Sequence, residues 1–211
     1  MISVVKRNGV VEPLNLDKLH RMVEFACDGL AGVSESAIEM NSNLQFYENI
    51  MTSDIQEILI RSANDLISLE QPNYQYVAAR LLLFSYRKSV YKGHPDNPPP
   101  LIEHIKECIA KGVYDPDLIK QYSEEEWSEL HDFIDWDRDY LFTYAGLRQV
   151  VDKYLVQDRS TGEVFETPQQ MYMLIAATLF QNYPIESRID YVKRYYNCLL
   201  YTSDAADDWS S

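Results

Sequence analysis

The pattern of hydrophobic and polar positions predicts a short β-hairpin at the start of the chain. The β-branched pairs Val4-Val5 and Val10-Val11 lie on either side of Asn8-Gly9. An Asn-Gly dipeptide favours a two-residue type I′ turn, because both central residues of that turn need positive φ. Two strands that reverse at Asn8-Gly9 are therefore expected.

Helical spacing of apolar residues begins directly after the hairpin. Asn15 or Asp17 is expected to be the N-cap of the first helix, which ends near Gly29. Its apolar stripe consists of Leu19, Met22, Val23 and Ala26.

Capping boxes predict where the next two helices begin. One box pairs Ser36 with Glu39, and the other pairs Ser53 with Gln56. The segment NYQYVAARLLLFSYRKSVY predicts a fourth helix. The expected fold is therefore mainly α, with a small sheet over a four-helix bundle in residues 1–92.

Residues 93–100 are predicted to be a proline-rich linker, because the prolines of KGHPDNPPP stop a helix and stiffen the chain. Further helices are expected in residues 101–197, one of them beginning at a capping box of Ser123 and Glu126. The segment RDYLFTYAGLRQVVDKYLV keeps helical spacing, and a hairpin is expected to turn near Thr161-Gly162. PQQMYMLIAATLF is apolar nearly all round, as a buried helix should be, and IESRIDYVKRYYN predicts a final amphipathic helix.

The composition is that of a globular protein with more acidic than basic residues. Of the 211 residues 46% are hydrophobic and 25% charged, and the formal net charge is −14. This charge argues against a nucleic-acid surface, and no stretch approaches the roughly 18 apolar residues of a membrane span. The N-terminus does not resemble a signal peptide. Three distant cysteines form no metal spacing or disulfide framework, which favours a reduced, cytoplasmic protein.

Most motifs of catalytic chemistry are missing from the sequence. The seven glycines form neither GxGxxG nor a P-loop. The histidines never pair at metal-ligand spacing, and no serine occupies a nucleophile elbow. The acidic run SEEEWSELHDFIDWDRD is interpreted as a solvated helix face, because the helix dipole favours carboxylates in a first turn. A metal or acid–base site is the alternative.

The remaining chemistry surrounds the hairpin and the first helix. Thr52 begins a helix, where free N–H groups and the dipole favour phosphate. Glu12 and Asn15 could read a base edge by hydrogen bonds. If hairpin and helices pack together, a set of distant cations could converge on a polyanion, namely Lys6, Lys18, Arg21, Arg87 and Lys88. The alternative is that each cation is simply solvated.

These motifs resemble the ATP-cone, the nucleotide-sensing module of ribonucleotide reductases. The pattern K-R-x-G, E-x-x-N-x-x-K, T-S-D-I and P-x-Y-x-Y-x-A-A-R spans nearly all of residues 1–92. The later segments GVYDPDLIKQYSEEE and RIDYVKRYYN are similar to the helical region before the barrel in large subunits of class I reductases. The resemblance implies that residues 101–197 are this helical domain and that the α/β barrel is missing.

By position, the resemblance implies an effector site that binds ATP or dATP with Mg²⁺. Its residues would be Lys6, Glu12, Pro13, Leu14, Asn15, Leu16, Asp17, Lys18, Thr52 and Lys88. The two lysines at its ends, Lys6 and Lys88, would contact phosphates, and Glu12 with Asn15 would lie near adenine.

The resemblance also implies what the full protein does. It would reduce ribonucleoside diphosphates as a homodimer of large subunits, with a radical-generating small subunit and with thioredoxin or glutaredoxin as reductant. The catalytic cysteines would lie beyond the present chain, which should be inactive alone. Cys27 and Cys108 fall on predicted helices and are not expected to be redox cysteines.

Two other interpretations stay open at this point. A non-enzymatic sensor, such as the cone-containing repressor of reductase genes, should carry a four-cysteine zinc ribbon ahead of its cone. The chain has no such cysteines. An anaerobic reductase can also carry a cone, but the segments after the linker disfavour it.

Residues 198–211 are expected to be a non-native tail. Back-translated, Cys198–Asp208 resembles the adaptor of transposase-made sequencing libraries, and such segments must be set aside before a fold is derived. An ordinary acidic C-terminus is the alternative. Native sequence is thus expected up to about Asn197.

Overall fold

The computed structural model describes the backbone of residues 2–6 and 9–208, and side chains as far as Leu199. As predicted, the chain is mainly helical with small sheets. Its contacts define two compact units. The first consists of the residues up to Ser85 with Phe142–Leu147, and the second consists of Tyr86–Leu141 with the residues from Arg148 on.

The elements up to the predicted linker are β1 (Ser3–Val5), β2 (Val11–Pro13), α1 (Leu16–Cys27), α2 (Glu35–Asn43), β3 (Ile50–Met51), α3 (Thr52–Asp65) and α4 (Tyr74–Val90). After it follow α5 (Leu101–Ala110), α6 (Glu124–Phe133), α7 (Tyr144–Lys153), β4 (Gln157–Asp158), β5 (Glu163–Val164), α8 (Pro168–Phe180) and α9 (Ile185–Asp208). Short 3₁₀ turns cover Leu118–Lys120 and Trp136–Leu141.

The hairpin of β1 and β2 turns over three residues rather than two. Val5 pairs with Val11, and the Lys6 N–H donates to the Val10 carbonyl over 2.9 Å, so that residues 7–9 lie between. The predicted two-residue type I′ turn would pair residue 7 with Val10 and is therefore wrong. Gly9 has φ +81°, which suits the left-handed last position of a three-residue loop. Asn8 lies outside the described residues.

β3 is the element that the sequence pattern missed. β1 is the central strand of the sheet, antiparallel to β2 and parallel to β3. Val4 pairs with Ile50, and both side chains are buried. A two-residue strand shows no alternation of its own, so only its partner defines it.

α1 begins and ends on polar groups. Asn15 is its N-cap, because Oδ1 accepts from the Lys18 N–H at 3.0 Å. At the other end Arg80 Nη1 donates to the carbonyls of Ala26, at 3.3 Å, and Asp28, at 2.7 Å. This guanidinium satisfies carbonyls that the helix end leaves open. The predicted apolar stripe is buried except for the half-buried Met22.

Both capping boxes predicted in the first unit are wrong. α2 is capped by Ser34, whose Oγ accepts from the Ala37 N–H at 3.3 Å, and Ser36 lies one residue inside the helix. Ser34 is held there because its own N–H donates to Tyr74 Oη at 2.9 Å. A residue of α4, 40 positions away, thus selects between two serines.

α3 begins one residue earlier than its predicted cap, Ser53. Its N-cap position is occupied by Met51, which makes no side-chain capping bond. Gln56 does not return to the helix start either, because its Nε2 donates to the Leu81 carbonyl in α4 at 2.8 Å. This bond ties the first turn of α3 to the middle of α4.

In the second unit, the capping box of α6 is confirmed. Ser123 Oγ accepts from the Glu126 N–H at 3.2 Å, and Glu126 Oε2 accepts from the Ser123 N–H at 2.7 Å. Glu126 also receives a bidentate bond from Arg188 of α9, at 2.8 and 2.5 Å. The same carboxylate therefore begins α6 and attaches it to α9.

The single helix predicted across RDYLFTYAGLRQVVDKYLV is divided in the structure. A 3₁₀ turn ends at Leu141, and α7 begins at Tyr144. Leu141 is 57% exposed, although its spacing predicted a buried position. Thr143 Oγ1 accepts from the Gly146 N–H at 3.1 Å and so starts the new helix.

Two further predictions for the second unit are confirmed. β4 and β5 form a hairpin around Thr161-Gly162, closed by the Gly162 N–H on the Asp158 carbonyl at 2.7 Å. α8 is buried over most of its length, and it packs along α9. Within the described part of the chain, no helix combines the length and the apolar character that crossing a bilayer requires.

The two serines at predicted capping boxes form a matched pair. Ser123→Ala removes an observed cap and should lower the free energy of unfolding by about 1 kcal/mol. Ser36→Ala removes no capping bond and should change it by less than about 0.5 kcal/mol. Urea unfolding, followed by far-UV circular dichroism and by the fluorescence of the buried Trp127, measures both. Equal losses would contradict the assigned caps.

Candidate functional site

Two residues of the predicted site lie at one end of the three-stranded sheet. Val5 of β1 lies beside Met51 of the parallel strand β3. Lys6 and Thr52 are the next residues along these neighbouring strands. The parallel pairing therefore places a cationic and a hydroxyl side chain at the same sheet edge.

Lys6 also contacts another predicted site residue, Glu12. Nζ and Oε2 lie 2.7 Å apart, and the side chains are 41% and 35% exposed. Glu12 pairs with Val4, and alternation puts Lys6, Val4 and Glu12 on one face of the sheet. Val4 is buried, so this is the face turned toward the core. An ion pair so exposed contributes about 1 kcal/mol or less, and Lys6 can exchange Glu12 for another anion at little cost.

The N-terminus of α3 adds helix-dipole charge at Thr52. Met51 has no side-chain oxygen to accept from the first-turn N–H groups, and Thr52 is half-buried. Uncapped N–H groups and the dipole favour an anion there. One carboxylate already lies in this turn, that of Asp54, and it accepts from Tyr47 Oη at 3.4 Å. The bond from Gln56 to α4 orients the same turn, and no local pattern could reveal it, since the two residues are 25 positions apart.

Residues 13–18, which were also predicted for the site, begin at the end of the hairpin opposite its turn. Pro13 pairs with Ser3, at the start of β1, and the Leu14 N–H donates to the Ile2 carbonyl at 2.8 Å. A strand rises about 3.3 Å per residue, so this end lies about 10 Å from Lys6. From here the chain enters the exposed first turn of α1 through Asn15, Leu16, Asp17 and Lys18.

Lys88 is the one predicted site residue outside the first unit. It is exposed in the last turn of α4 and belongs to the second compact unit. The structure thus brings Lys6, Glu12 and Thr52 together and places residues 13–18 at the other end of the hairpin.

Cys27 and Cys108 are buried in helices, where their thiols stay protonated. Cys27 lies in α1 and Cys108 in α5, and burial raises the pKa of each thiol to about 11. His104 lies 3.7 Å from Cys108 Sγ, but burial lowers the pKa of this imidazole to about 4. A protonated thiol beside a neutral histidine is not an activated nucleophile.

A histidine links α1 to α2. His20 Nδ1 lies 2.7 Å from Glu39 Oε1. The hydrogen bond to Glu39 and its charge raise the pKa of His20 above the ordinary 6.5. Protonation therefore strengthens the bond between the two helices.

Two protein families match the chain, in the same order along the sequence as the two groups of motifs. Residues 2–89 match the ATP cone domain, and residues 140–201 match the ribonucleotide reductase all-alpha domain. The first match contains the three-stranded sheet and almost all of α1 to α4. The second contains α7, the small hairpin, α8 and the part of α9 up to residue 201.

Individual relatives agree with these families. The chain is 50% identical over 196 residues to the ribonucleoside-diphosphate reductase subunit alpha of Haemophilus influenzae, covering 93% of the chain and 26% of that protein. It is 48% identical over 198 residues to the ribonucleoside-diphosphate reductase 1 subunit alpha of Escherichia coli, covering 94% and 26%. The Helicobacter pylori subunit alpha is 36% identical over 185 residues, covering 86% and 22%.

The two family matches define an ATP cone domain that is followed along the chain by a ribonucleotide reductase all-alpha domain. The chain belongs to the class I ribonucleotide reductase alpha subunits, of which it contains the N-terminal portion, the ATP-cone and the all-alpha domain. It spans about a quarter of the length of the curated relatives that it matches.

The contact between His20 and Glu39 predicts a pH-dependent link. Because the folded-state pKa of His20 is raised, the contribution of the pair is complete below the unfolded pKa of about 6.5 and is lost as pH rises through the folded pKa. Glu39→Gln removes the charge and should bring the NMR titration of His20 down toward 6.5. The titration of His131, whose pKa burial lowers, should not change. An unaltered His20 titration in Glu39→Gln would show that the pair does not form in solution.

Proposed function

We propose that the chain is the regulatory portion of a ribonucleoside-diphosphate reductase large subunit and that its ATP-cone binds ATP or dATP as an allosteric effector. The observation that carries this proposal is the ATP cone match over residues 2–89, in which Lys6 and Thr52 directly follow neighbouring parallel strands. Effector binding would regulate the reduction of ribonucleotides to deoxyribonucleotides by the full protein.

The phosphates would bind at the edge formed by Lys6 and Thr52. Lys6 would exchange its exposed partner Glu12 for an oxygen of the triphosphate, because the triphosphate carries more negative charge than one carboxylate. The Thr52 hydroxyl and the uncapped N–H groups of α3 can donate to the same group. The Mg²⁺ ion would enter with the nucleotide, bound to phosphate oxygens, since magnesium commonly uses substrate phosphates as ligands.

The base would lie toward the residues that join β2 to α1. Glu12 released from Lys6 can accept a hydrogen bond from an exocyclic amine. The carboxamide oxygen of Asn15 is occupied by the Lys18 N–H, so Asn15 would contact adenine through its amide nitrogen. Pro13, Leu14, Leu16, Asp17 and Lys18 would form the surrounding wall, and Lys88 would supply a second cation for the phosphates.

The full protein would act with partners that the alpha-subunit family implies. These are a second large subunit, a small subunit that generates the radical, and thioredoxin or glutaredoxin. A non-enzymatic nucleotide sensor is the competing function, and the all-alpha domain match at residues 140–201 favours the reductase subunit over it. We propose the same domain boundaries as those expected from the sequence. The cone would be residues 1–92, the linker 93–100, the helical domain 101–197 and the foreign tail 198–211.

Isothermal calorimetry with ATP and Mg²⁺ tests the proposed site. The 211-residue chain should bind one ATP, and Lys6→Ala and Lys88→Ala should each weaken binding at least about tenfold, or about 1.4 kcal/mol. The reason is the loss of one charge-assisted hydrogen bond to phosphate, which contributes about 1.5–3 kcal/mol.

Lys120→Ala is the matched control for these two variants. Lys120 is an exposed lysine of the second unit, paired with Asp117 at 2.6 Å. Its removal should leave the affinity for ATP unchanged. Wild-type affinity in both Lys6→Ala and Lys88→Ala would refute the proposed pocket.

A second measurement tests the proposal that the catalytic residues lie in the other part of the enzyme. The present chain, mixed with a small subunit and a reductant, should form no deoxyribonucleotide above a control without protein. The buried, protonated thiols of Cys27 and Cys108 cannot replace redox cysteines. Any turnover above the control would contradict this assignment.

A further inference from the structure

A buried polar network begins at Arg87, in the last turn of α4. Arg87 Nη2 lies 3.1 Å from Asp139 Oδ2, and these side chains are 5% and 0% exposed. The other carboxylate oxygen, Oδ1, accepts from Gln169 Nε2 at 3.0 Å, and Gln169 Oε1 accepts from Tyr196 Oη at 2.5 Å. The network thus joins the last turn of α4 to a 3₁₀ turn, to α8 and to α9, and all of its residues belong to the second unit.

Further contacts restrict the position of the guanidinium. Arg87 Nη1 donates to Tyr140 Oη at 2.7 Å, and Nη2 donates to the Trp136 carbonyl. The guanidinium also lies over the Tyr140 ring, 4.7 Å from its centroid. Arg87 is therefore held on several sides by the segment Trp136–Leu141.

A second link leads from the end of α4 to the same helix start. Just beyond α4, the Tyr91 hydroxyl lies 3.0 Å from Thr167 Oγ1, and both residues are buried. Thr167 is the N-cap of α8, and Gln169 is in its first turn. Two independent side-chain links thus connect the end of α4 with the first turn of α8.

The link that begins at Arg87 joins residues of the two family matches. Arg87 falls within the ATP cone match, at residues 2–89, whereas Gln169 and Tyr196 fall within the all-alpha domain match, at residues 140–201. Lys88, the proposed phosphate ligand, follows Arg87 in the same helical turn. A ligand that reduces the motion of this turn of α4 should therefore also reduce the motion of the groups bonded to Arg87.

We propose that Arg87 and Asp139 are positioning residues that couple effector binding by the cone to the first turn of α8. This inference rests on the proposed function. A nucleotide that holds Lys88 favours the arrangement of the last α4 turn in which Arg87 reaches Asp139. Binding and the network then stabilise each other, since coupling between two sites is reciprocal.

Hydrogen exchange of the full 211-residue chain, with and without ATP and Mg²⁺, tests this coupling. In the wild type, ATP should slow amide exchange in peptides from α1 and α3 and also in the peptide that covers residues 165–175. We expect about fivefold or stronger protection of the α8 peptide, the lower limit of typical coupling.

The variant Arg87→Met/Asp139→Asn removes both charges together, so that neither is left buried and unpaired. ATP should still protect α1 and α3 in this variant, but its effect on α8 should vanish. Arg148→Met/Asp152→Asn makes the same substitutions at an exposed pair, 3.1 Å apart, and should behave as wild type. Tyr196→Phe is a milder second variant that removes only the hydroxyl orienting Gln169, and it should reduce the α8 effect even if the double variant does not fold.

The possible outcomes distinguish the coupling from the proposed binding of ATP. Equal α8 protection in the wild type, the folded double variant and Tyr196→Phe would overturn the coupling, as would protection of α1 and α3 without any effect on α8 in the wild type. Absence of ATP protection anywhere in the wild type would refute the proposed function itself and the coupling with it.

Discussion

The parallel pairing of β1 with β3 is the interaction on which the candidate site depends. Val4 and Ile50 bury their side chains at this pairing and so attach the N-terminal hairpin to the strand that leads into α3. Lys6 directly follows Val5 at the end of β1, and Thr52 directly follows Met51 at the end of β3. Burial of two apolar side chains thus aligns a lysine with a helix N-terminus more than forty positions away in sequence.

The helices of the first unit are held in register by polar side chains as well as by the apolar core. Arg80 supplies donors to the carbonyl end of α1, and Tyr74 accepts from the backbone of the α2 cap. Gln56 ties α3 to α4. Two of these three side chains come from α4, and the third reaches its backbone, so this helix defines where the other helices begin and end.

Charge has different uses in the two units. Near the hairpin, the Lys6–Glu12 pair is exposed and exchangeable, which suits a site that must accept an anionic effector. At the end of α4, Arg87 and Asp139 are buried and are bonded to each other and to other buried groups, which suits a link between packed elements. Breaking such a buried pair from one side leaves an unpaired charge and is costly. The contrast supports a division between a binding surface and a structural link.

Sequence patterns were sufficient where a structural signal is local. The apolar stripe of α1, the Ser123–Glu126 capping box and the hairpin at Thr161-Gly162 depend on neighbours within a few residues, and the structure confirms them. The motifs that resemble the ATP-cone are also local, and the family comparison confirms them. The predictions failed where two nearby residues were equally good candidates, as at the N-cap of α2.

Ser34 and Ser36 could each cap a helix, and Tyr74 selects the first. β3 has two residues and exists only because β1 pairs with it. The positions of Lys6, Glu12 and Thr52 relative to one another depend on the same pairing. The sequence by itself determined which residue types are available for the site and which helices form, whereas the tertiary structure decided which caps are used and which site residues meet. The physical reason is that a hydrogen bond or buried contact between distant segments depends on packing, which no short stretch of sequence contains.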